Sequence, residues 1–247
     1  MANAPGPSAP SNSVDARDRA RRIVLASTTF AACAPNVVDE IMQHAHVVKL
    51  QRGDVVYRQG EKGDSLMIVL SGSLKATNVT AEGKEVVLGF LKPGALIGEI
   101  AAIDGRERTA NVLALETTEA VAIYRRDFLP ILKANPAAML GVLEGLCARL
   151  RATNALLESH TLEAAARVAD CLVRLARDHG QPVAGKGTAI DLKLTQRDLG
   201  SHLGLTRETV SRTLGEFREA GLVEIAGTSI LIIDADGLTA VAEGGAD

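Results

Sequence analysis

Residues 194–212 read LTQRDLGSHLGLTRETVSR and contain the start signals of two consecutive helices. Thr195, followed three residues later by Asp198, is typical of a capping box, and Gly204 closes the short helix that begins there. Thr206 then provides a second N-cap, from which a longer helix is predicted. Two helices joined by a short turn that contains glycine predict a helix-turn-helix.

The second helix of such a motif enters the major groove of DNA with its first residues on base edges. Opposite the apolar positions Val210 and Leu214, this helix presents Arg207, Glu208 and Arg212. Base reading suits these residue types, because Arg offers two donors to guanine and Glu accepts from cytosine. Polar residues at the two helix starts are candidates for phosphate contacts: Thr195, Gln196, Thr206 and Thr209. A helical hairpin with a solvated, charged face is the alternative.

Composition limits how nucleic acid can be bound. The 247 residues include 27 Lys plus Arg and 30 Asp plus Glu, a formal net charge of −3, and only 2% are aromatic. Binding by bulk positive charge is therefore excluded, and stacking of single-stranded bases is disfavoured. From Lys193 to Arg218, however, five basic residues against three acidic ones leave a local net charge of +2. Any nucleic-acid contact should be local and base-reading.

Cysteines and apolar runs indicate the compartment. Cys33, Cys147 and Cys171 are few and far apart, which fits neither a disulfide framework nor a metal site. The chain shows neither a secretory signal nor an apolar run of the roughly 18 residues that span a membrane. We therefore expect a soluble, cytoplasmic protein without metal ligands or a membrane partner.

A near match to a phosphate-binding loop occurs at residues 180–187, GQPVAGKG. The Ser or Thr that should follow Lys186 is missing, and the stretch follows a predicted helix rather than a strand. We interpret it as a connecting loop and expect no catalytic residues and no enzymatic activity.

N-terminal to the helix-turn-helix, two further sequence patterns are present. From about residue 47 to 128, short β-branched runs alternate with glycines, which indicates an antiparallel barrel or sandwich. From about 135 to 160 the pattern is helical, and Leu143, Leu150 and Leu157 recur every seven residues. This spacing predicts a coiled-coil seam and a homodimer. A single helix buried against its own domain is the alternative.

One segment of the strand-rich region contains candidate ligand-binding residues: residues 94–102 read GALIGEIAA, and Arg108 and Thr109 follow soon after. A turn of small residues that enters a helix exposes backbone N–H groups to an anion. Arg108 can add a two-pronged donor, and Glu99 can accept from a ribose hydroxyl. The candidate ligand residues here are Gly98, Glu99, Ile100, Ala101, Arg108 and Thr109. A surface turn with a Glu99–Arg108 salt bridge is the alternative.

From about residue 37 to 233, the chain resembles the cyclic-nucleotide receptor branch of the Crp/Fnr transcription factors. The resemblance is carried by GDV at 53–55, GEKGD at 60–64, SG at 71–72, the segment from Gly98 to Thr109, and the helix-turn-helix. It implies an α+β fold with five parts in chain order: a disordered tail (1–22), a cyclic-nucleotide-binding β-roll (23–134), a dimerisation helix with a hinge (135–162), a winged helix-turn-helix (163–234) and a C-terminal tail (235–247).

The resemblance also implies residue roles. Glu99 is expected on the ribose 2′-hydroxyl, Arg108 on the cyclic phosphate, and Thr109 on the phosphate or base. Thr153, together with Asn154 from the second chain of the dimer, is expected near the base. Arg207, Glu208 and Arg212 match the base-reading residues of the family, which implies TGTGA-like half-sites in a two-fold symmetric operator.

The expected effector is cyclic AMP, with cyclic GMP also compatible, and no tightly bound cofactor is expected. RNA polymerase is an expected partner if the protein is an activator. Because Glu99 is retained, relatives that bind a cyclic dinucleotide are disfavoured. A regulator that uses haem, or no effector at all, and a nucleotide-binding regulatory subunit that does not bind DNA are the alternatives.

Overall fold

The computed structural model describes residues 14–244. The chain forms two compact units, one from the residues up to Asn78 together with Gly89–Leu150, the other from Val79–Leu88 together with the residues from Arg151 on. Helices and strands are both abundant, which confirms the α+β class.

The elements as far as the long helix are α1 (Val14–Ala26), α2 (Pro35–His44), β1 (His46–Leu50), β2 (Val55–Tyr57), β3 (Ser65–Ser71), β4 (Leu74–Val79), β5 (Glu85–Leu91), β6 (Leu96–Ile97), α3 (Glu99–Asp104), β7 (Asn111–Ala114), β8 (Thr118–Tyr124), α4 (Arg125–Ala134) and α5 (Pro136–Ser159). The later elements are α6 (Ala164–His179), β9 (Gly180–Val183), β10 (Gly187–Ile190), α7 (Gln196–Leu203), α8 (Arg207–Glu219), β11 (Val223–Ala226), β12 (Ser229–Ile232) and α9 (Ala235–Ala242).

Eight short strands form two four-stranded sheets, ordered β1-β8-β3-β6 and β2-β7-β4-β5. Strand β8 pairs antiparallel with both β1 and β3, and β7 pairs antiparallel with both β2 and β4. A cluster of inward side chains fills the space beside these strands, including Val69, Leu74 and Ile97. The predicted antiparallel arrangement of short strands is confirmed.

Helices α1, α2 and α4 cover a second apolar cluster of the same unit, in which Phe30, Ile41 and Phe128 are almost completely buried. Helix α1 lies partly inside the tail that we expected to be disordered. Its Ala20 and Val24 are fully buried, so that prediction is wrong for residues 14–22. Residues 1–13 lie outside the described part of the chain.

In the second unit, α6 and α8 pack against a four-stranded sheet ordered β11-β12-β10-β9, and α7 packs on α6 and α8. Two of our predictions are wrong here. Residues 180–187, interpreted as a loop, contain β9 and the start of β10, which pair antiparallel. The C-terminal tail contains α9, which packs on α6 and buries Leu238 completely. Residues 245–247 are outside the described part.

Helix α5 has the length that the leucine spacing predicted. Leu143, Leu150 and Leu157 are 52%, 62% and 62% exposed. The alternative of a helix buried against its own domain is therefore wrong for these three positions. Within residues 14–244 no single helix is both long and apolar enough to cross a bilayer; α4 and α5 meet both conditions only together, as a pair bent by 111°.

Candidate functional site

Gly98 stands between β6 and α3 and sets the geometry of the first site. Its φ is +78°, in the left-handed region that favours glycine. A Cβ atom on Gly98 would lie 2.6 Å from Nη1 of Arg108 and 2.8 Å from Cε2 of Tyr57. Glycine is therefore required here both by the backbone conformation and by the side chains that close around it.

Arg108 is buried, with 5% of its surface exposed. Its Nη1 donates to the carbonyl of Gly98 at 3.0 Å, and its Nη2 donates to Oγ of Ser65 at 3.1 Å. The guanidinium carbon lies 3.6 Å from the ring centroid of Tyr57, a cation–π contact. The backbone of Arg108 is fixed as well, since its N–H donates to Glu61 and its carbonyl accepts from Gly60.

Glu99, the first residue of α3, is 2% exposed. Its Oε1 accepts from Nη1 of Arg149 at 2.7 Å, and Nη2 of Arg149 donates to the carbonyl of Leu96 at 3.0 Å. Its Oε2 has no hydrogen-bond partner among the described residues. Burial raises the pKa of Glu99, against the opposing effects of Arg149 and Arg108. The alternative of a surface Glu99–Arg108 salt bridge is wrong, because both residues are buried and Glu99 pairs with Arg149.

The burial of Arg108 and Glu99 determines which ligand groups the site can bind. A buried guanidinium can bind an anion in a setting where water competes poorly. The second group of the site is the buried Oε2 of Glu99, which has no hydrogen-bond partner among the described residues and can accept from a hydroxyl group. The site therefore suits a small molecule that carries both an anionic oxygen and a hydroxyl.

The remaining predicted ligand residues lie in different settings. Ile100 is half-buried and Ala101 is buried in the first turn of α3, whereas Thr109 is exposed. Thr153 and Asn154 are exposed on α5, in the second unit. No contact in the structure tests the roles that we expect for these five residues, and they stay predictions.

Sequence reasoning missed three side chains of this site: Tyr57, Ser65 and Arg149. Tyr57 belongs to a short apolar run, and Ser65 begins a strand, so neither stands out from its neighbours. Arg149 precedes a seam leucine and has the appearance of an ordinary solvated helix residue. Its pairing with Glu99 joins positions that are 50 residues apart, and a local sequence pattern cannot predict such a pair.

The predicted caps of the helix-turn-helix are confirmed. Oγ1 of Thr195 accepts from the N–H of Asp198 at 3.1 Å, and the Asp198 carboxylate accepts from the N–H of Thr195 at 3.0 Å. Oγ1 of Thr206 accepts from the N–H of Thr209 at 3.1 Å. The hydroxyls of Thr195 and Thr206 thus have a structural role, and their predicted phosphate contacts, like that of half-buried Gln196, stay predictions.

The exposed start of α8 forms the second site. Arg207, Glu208, Ser211 and Arg212 line an open concavity of about 480 Å³. On the opposite side of the helix, Val210 and Leu214 are buried, as the sequence predicted. Ser211 was not among our candidates; its place one residue before Arg212 on the same exposed face is the signal that was available.

The predicted wing follows α8. Strands β11 and β12 pair antiparallel, from Val223↔Ile232 to Ala226↔Ser229, around Gly227. Gly227 has a φ of +63°, as a tight turn requires. The unit thus has the elements of a winged helix-turn-helix.

Comparison with known proteins agrees with both sites. The cyclic nucleotide-binding domain matches residues 47–135, and the Crp-like helix-turn-helix domain matches residues 166–241. The cyclic AMP receptor protein of Thermus thermophilus is 30% identical over 219 residues, which cover 88% of this chain and 98% of that protein. A CRP-like cAMP-activated global transcriptional regulator of Mycobacterium tuberculosis is 29% identical over 217 residues, or 87% of this chain and 96% of that protein.

Solved structures share the fold. FixK2 from Bradyrhizobium japonicum matches with a TM-score of 0.70 at 22% identity, over 78% of this chain and 95% of that one. CLP from Xanthomonas campestris, described as a c-di-GMP responsive global regulator, matches with a TM-score of 0.68 at 21% identity, over 81% and 99%.

A cyclic-nucleotide-binding domain followed by a winged helix-turn-helix defines a class of DNA-binding transcriptional regulators. The chain belongs to the Crp/Fnr family of that class. The relatives are regulators rather than enzymes, which confirms our expectation of no enzymatic activity.

Proposed function

We propose that this protein is a homodimeric transcriptional regulator whose binding to a two-fold symmetric operator is controlled by a cyclic nucleotide in the cytoplasm, with cyclic AMP the preferred effector and cyclic GMP the second candidate. The observation that carries the proposal is the pair of Glu99 and Arg108, both buried, with Oε2 of Glu99 lacking a hydrogen-bond partner in the described part of the chain. The two relatives named above are described as a cyclic AMP receptor and as cAMP-activated.

A cyclic nucleotide has the two groups that this site suits. Its phosphate carries an anionic charge that Arg108 can pair with, and its ribose 2′-hydroxyl can donate to Oε2 of Glu99. Both protein groups are already fixed by bonds to their own unit, so the ligand does not have to order them. The site thereby favours a ribonucleotide, since a deoxyribose would leave the buried Oε2 unpartnered.

Dimerisation is supported by the exposed leucines of α5. Three large apolar side chains at seven-residue spacing form a seam that a second copy of the helix can cover. We expect the double substitution Leu143→Lys and Leu150→Lys to give a monomer in analytical ultracentrifugation. The control is Arg151→Lys, also exposed on α5, which should stay dimeric. A wild-type monomer at micromolar concentration would contradict this part of the proposal.

Operator reading is assigned to Arg207, Glu208 and Arg212. In a dimer, two recognition helices meet successive major grooves about 34 Å apart, which requires a two-fold symmetric site. TGTGA-like half-sites are the proposed sequence, and binding should weaken steeply as salt rises. If the nucleotide tightens operator binding, the operator must tighten nucleotide binding by the same factor. Contact with RNA polymerase belongs to the proposal only for an activator.

The proposal is tested by calorimetric titration of the full-length protein with cyclic AMP, cyclic GMP and a cyclic dinucleotide, side by side. We expect micromolar or tighter binding of a cyclic mononucleotide and at least tenfold weaker binding of the dinucleotide. If the dinucleotide binds more tightly, the assigned effector is wrong. If none of the three binds while operator DNA does, the alternatives of a haem-based or effector-independent regulator are supported instead.

A further inference from the structure

Tyr57 packs on Arg108 in the first site, and the function proposed above does not use it. It is the last residue of β2, where the pairing with β7 shifts register between Val55 and Tyr57. Such an irregularity bends a strand and redirects its side chains. Along β2, Val55 is exposed, whereas Tyr57 is 7% exposed and lies against Arg108 and Gly98.

The hydroxyl of Tyr57 is buried and forms no hydrogen bond of ordinary geometry among the described residues. It interacts only weakly with Ser65, whose hydroxyl already accepts from Arg108. A buried polar group without a partner destabilises a fold, commonly by about 1–3 kcal/mol. Phenylalanine would fill the same apolar space without that penalty. The hydroxyl is therefore poorly satisfied in the unliganded unit, whereas the ring packs on Arg108.

The site thus contains two buried polar atoms that the protein satisfies poorly, and they differ in kind. Oε2 of Glu99 is an acceptor. The Tyr57 hydroxyl can donate, because burial raises its pKa, against the opposing effects of Arg108 and of the weak interaction with Ser65, and the group keeps its proton at neutral pH. A ligand that satisfies both atoms must bring a hydroxyl for one and a negatively charged oxygen for the other.

We propose that Tyr57 is a further ligand-binding residue, whose hydroxyl donates a hydrogen bond to an exocyclic phosphate oxygen of the cyclic nucleotide while its ring holds the guanidinium of Arg108. The anion that pairs with Arg108 comes to lie beside this ring, since the guanidinium carbon is 3.6 Å from the ring centroid. This inference rests on the proposed function and extends it to a second phosphate-binding group.

Calorimetry with cyclic AMP on the full-length protein tests the hydroxyl through Tyr57→Phe, which keeps the ring. We expect affinity to fall roughly tenfold or more, as for loss of a hydrogen bond to a charged group. The matched control is Tyr124→Phe, because Tyr124 is the other tyrosine of the chain, is 42% exposed and also lies against an arginine, Arg126. Its affinity should equal that of the wild type. Tyr57→Leu, which removes the ring too, should lose a further few-fold.

Phosphorothioate analogues separate ligand contact from a purely structural effect. In the Rp and Sp forms of cyclic AMP, sulfur replaces one or the other exocyclic oxygen and accepts hydrogen bonds poorly. For one of the two forms, Tyr57→Phe should cost clearly less affinity than it does for cyclic AMP itself. Equal losses with cyclic AMP and with both analogues would overturn the proposed contact.

Two further outcomes have distinct meanings. If the wild type binds cyclic AMP and Tyr57→Phe binds it within twofold as well, the role of Tyr57 is refuted and the proposed function stands. If the wild type binds neither cyclic AMP nor cyclic GMP, the proposed function fails and this inference fails with it. The melting temperature of Tyr57→Phe should stay close to that of the wild type, since the lost hydroxyl forms no hydrogen bond of ordinary geometry within residues 14–244.

Discussion

The two charged sites of the chain differ in how the protein holds them. In the first, Glu99 and Arg108 are buried, and each is bound by other side chains or carbonyls of its unit. In the second, Arg207, Glu208 and Arg212 are exposed around an open concavity. Burying a charge costs free energy unless it is paired, whereas an exposed charge costs little. The stability of the fold thus depends on the pairing of the charges in the first site, but not on the exposed charges of the second.

This difference predicts how the two sites respond to substitution. Changes at Glu99 and Arg108, the two charged residues of the first site, should alter nucleotide affinity and protein stability together. Changes at the exposed start of α8 should alter DNA binding alone.

The largest effect is expected for Arg108→Ala. It removes the phosphate-binding guanidinium and leaves buried groups without their donor, so nucleotide affinity should fall at least a hundredfold, or about 3 kcal/mol. The melting temperature should fall too, while the dimer persists. Calorimetry, thermal unfolding and ultracentrifugation measure the three quantities.

The control for this variant is Arg106→Ala, an exposed arginine two residues earlier. It should match the wild type in nucleotide affinity and melting temperature. Unchanged affinity in Arg108→Ala would refute the site assignment, and unchanged stability would refute the contrast between the two sites.

A smaller effect is expected for Arg207→Ala, about 1–3 kcal/mol of operator affinity with relaxed preference at one base pair of each half-site. Its melting temperature should stay that of the wild type, because the side chain is exposed. Fluorescence anisotropy with a set of singly substituted operators measures both quantities. Arg218→Ala, exposed in the last turn of the same helix, serves as control. Equal weakening on every sequence would make Arg207 a phosphate contact only.

The smallest effect concerns the stability of Glu99→Gln. Since burial raises the pKa of Glu99 in the folded protein, the folded state binds this proton more tightly than the unfolded state does. The ionised group therefore lowers stability as pH rises above the ordinary Glu range. Glu99→Gln should gain about 1 kcal/mol or less relative to wild type between pH 4.5 and pH 7.5, measured by urea unfolding.

The exposed Glu107, changed to Gln, is the matched control and should show no such trend. A relative stability of Glu99→Gln that falls as pH rises would show that the pairing with Arg149 outweighs the burial of the carboxylate.

The sequence predicted those features that depend on local signals. The caps at Thr195 and Thr206 and the leucine spacing of α5 follow from neighbouring residues, and the structure has them. The segment from Gly98 to Arg108 was found because small residues and a cation occur close together in the chain. Each of these patterns spans only a few helical turns or one loop.

Features that depend on distant packing were missed. Helices α1 and α9 have weak patterns of their own, and their burial at Val24 and Leu238 comes from the elements on which they pack. Arg149 and Tyr57 became visible only when the fold brought them to Glu99 and Arg108. The residues that pair with a buried charge can be far apart in the sequence. The complete set of residues in such a site can therefore be identified only from the tertiary structure.

The central claim is that the nucleotide bound at Arg108 controls operator binding. The most direct measurement is the anisotropy of a fluorescent duplex with two TGTGA half-sites, titrated with wild type and with Arg108→Ala, each with and without saturating cyclic AMP or cyclic GMP. The account predicts that one of these nucleotides tightens binding of the wild type at least tenfold and leaves Arg108→Ala unchanged. Equal operator affinity of the wild type with and without both nucleotides would contradict it.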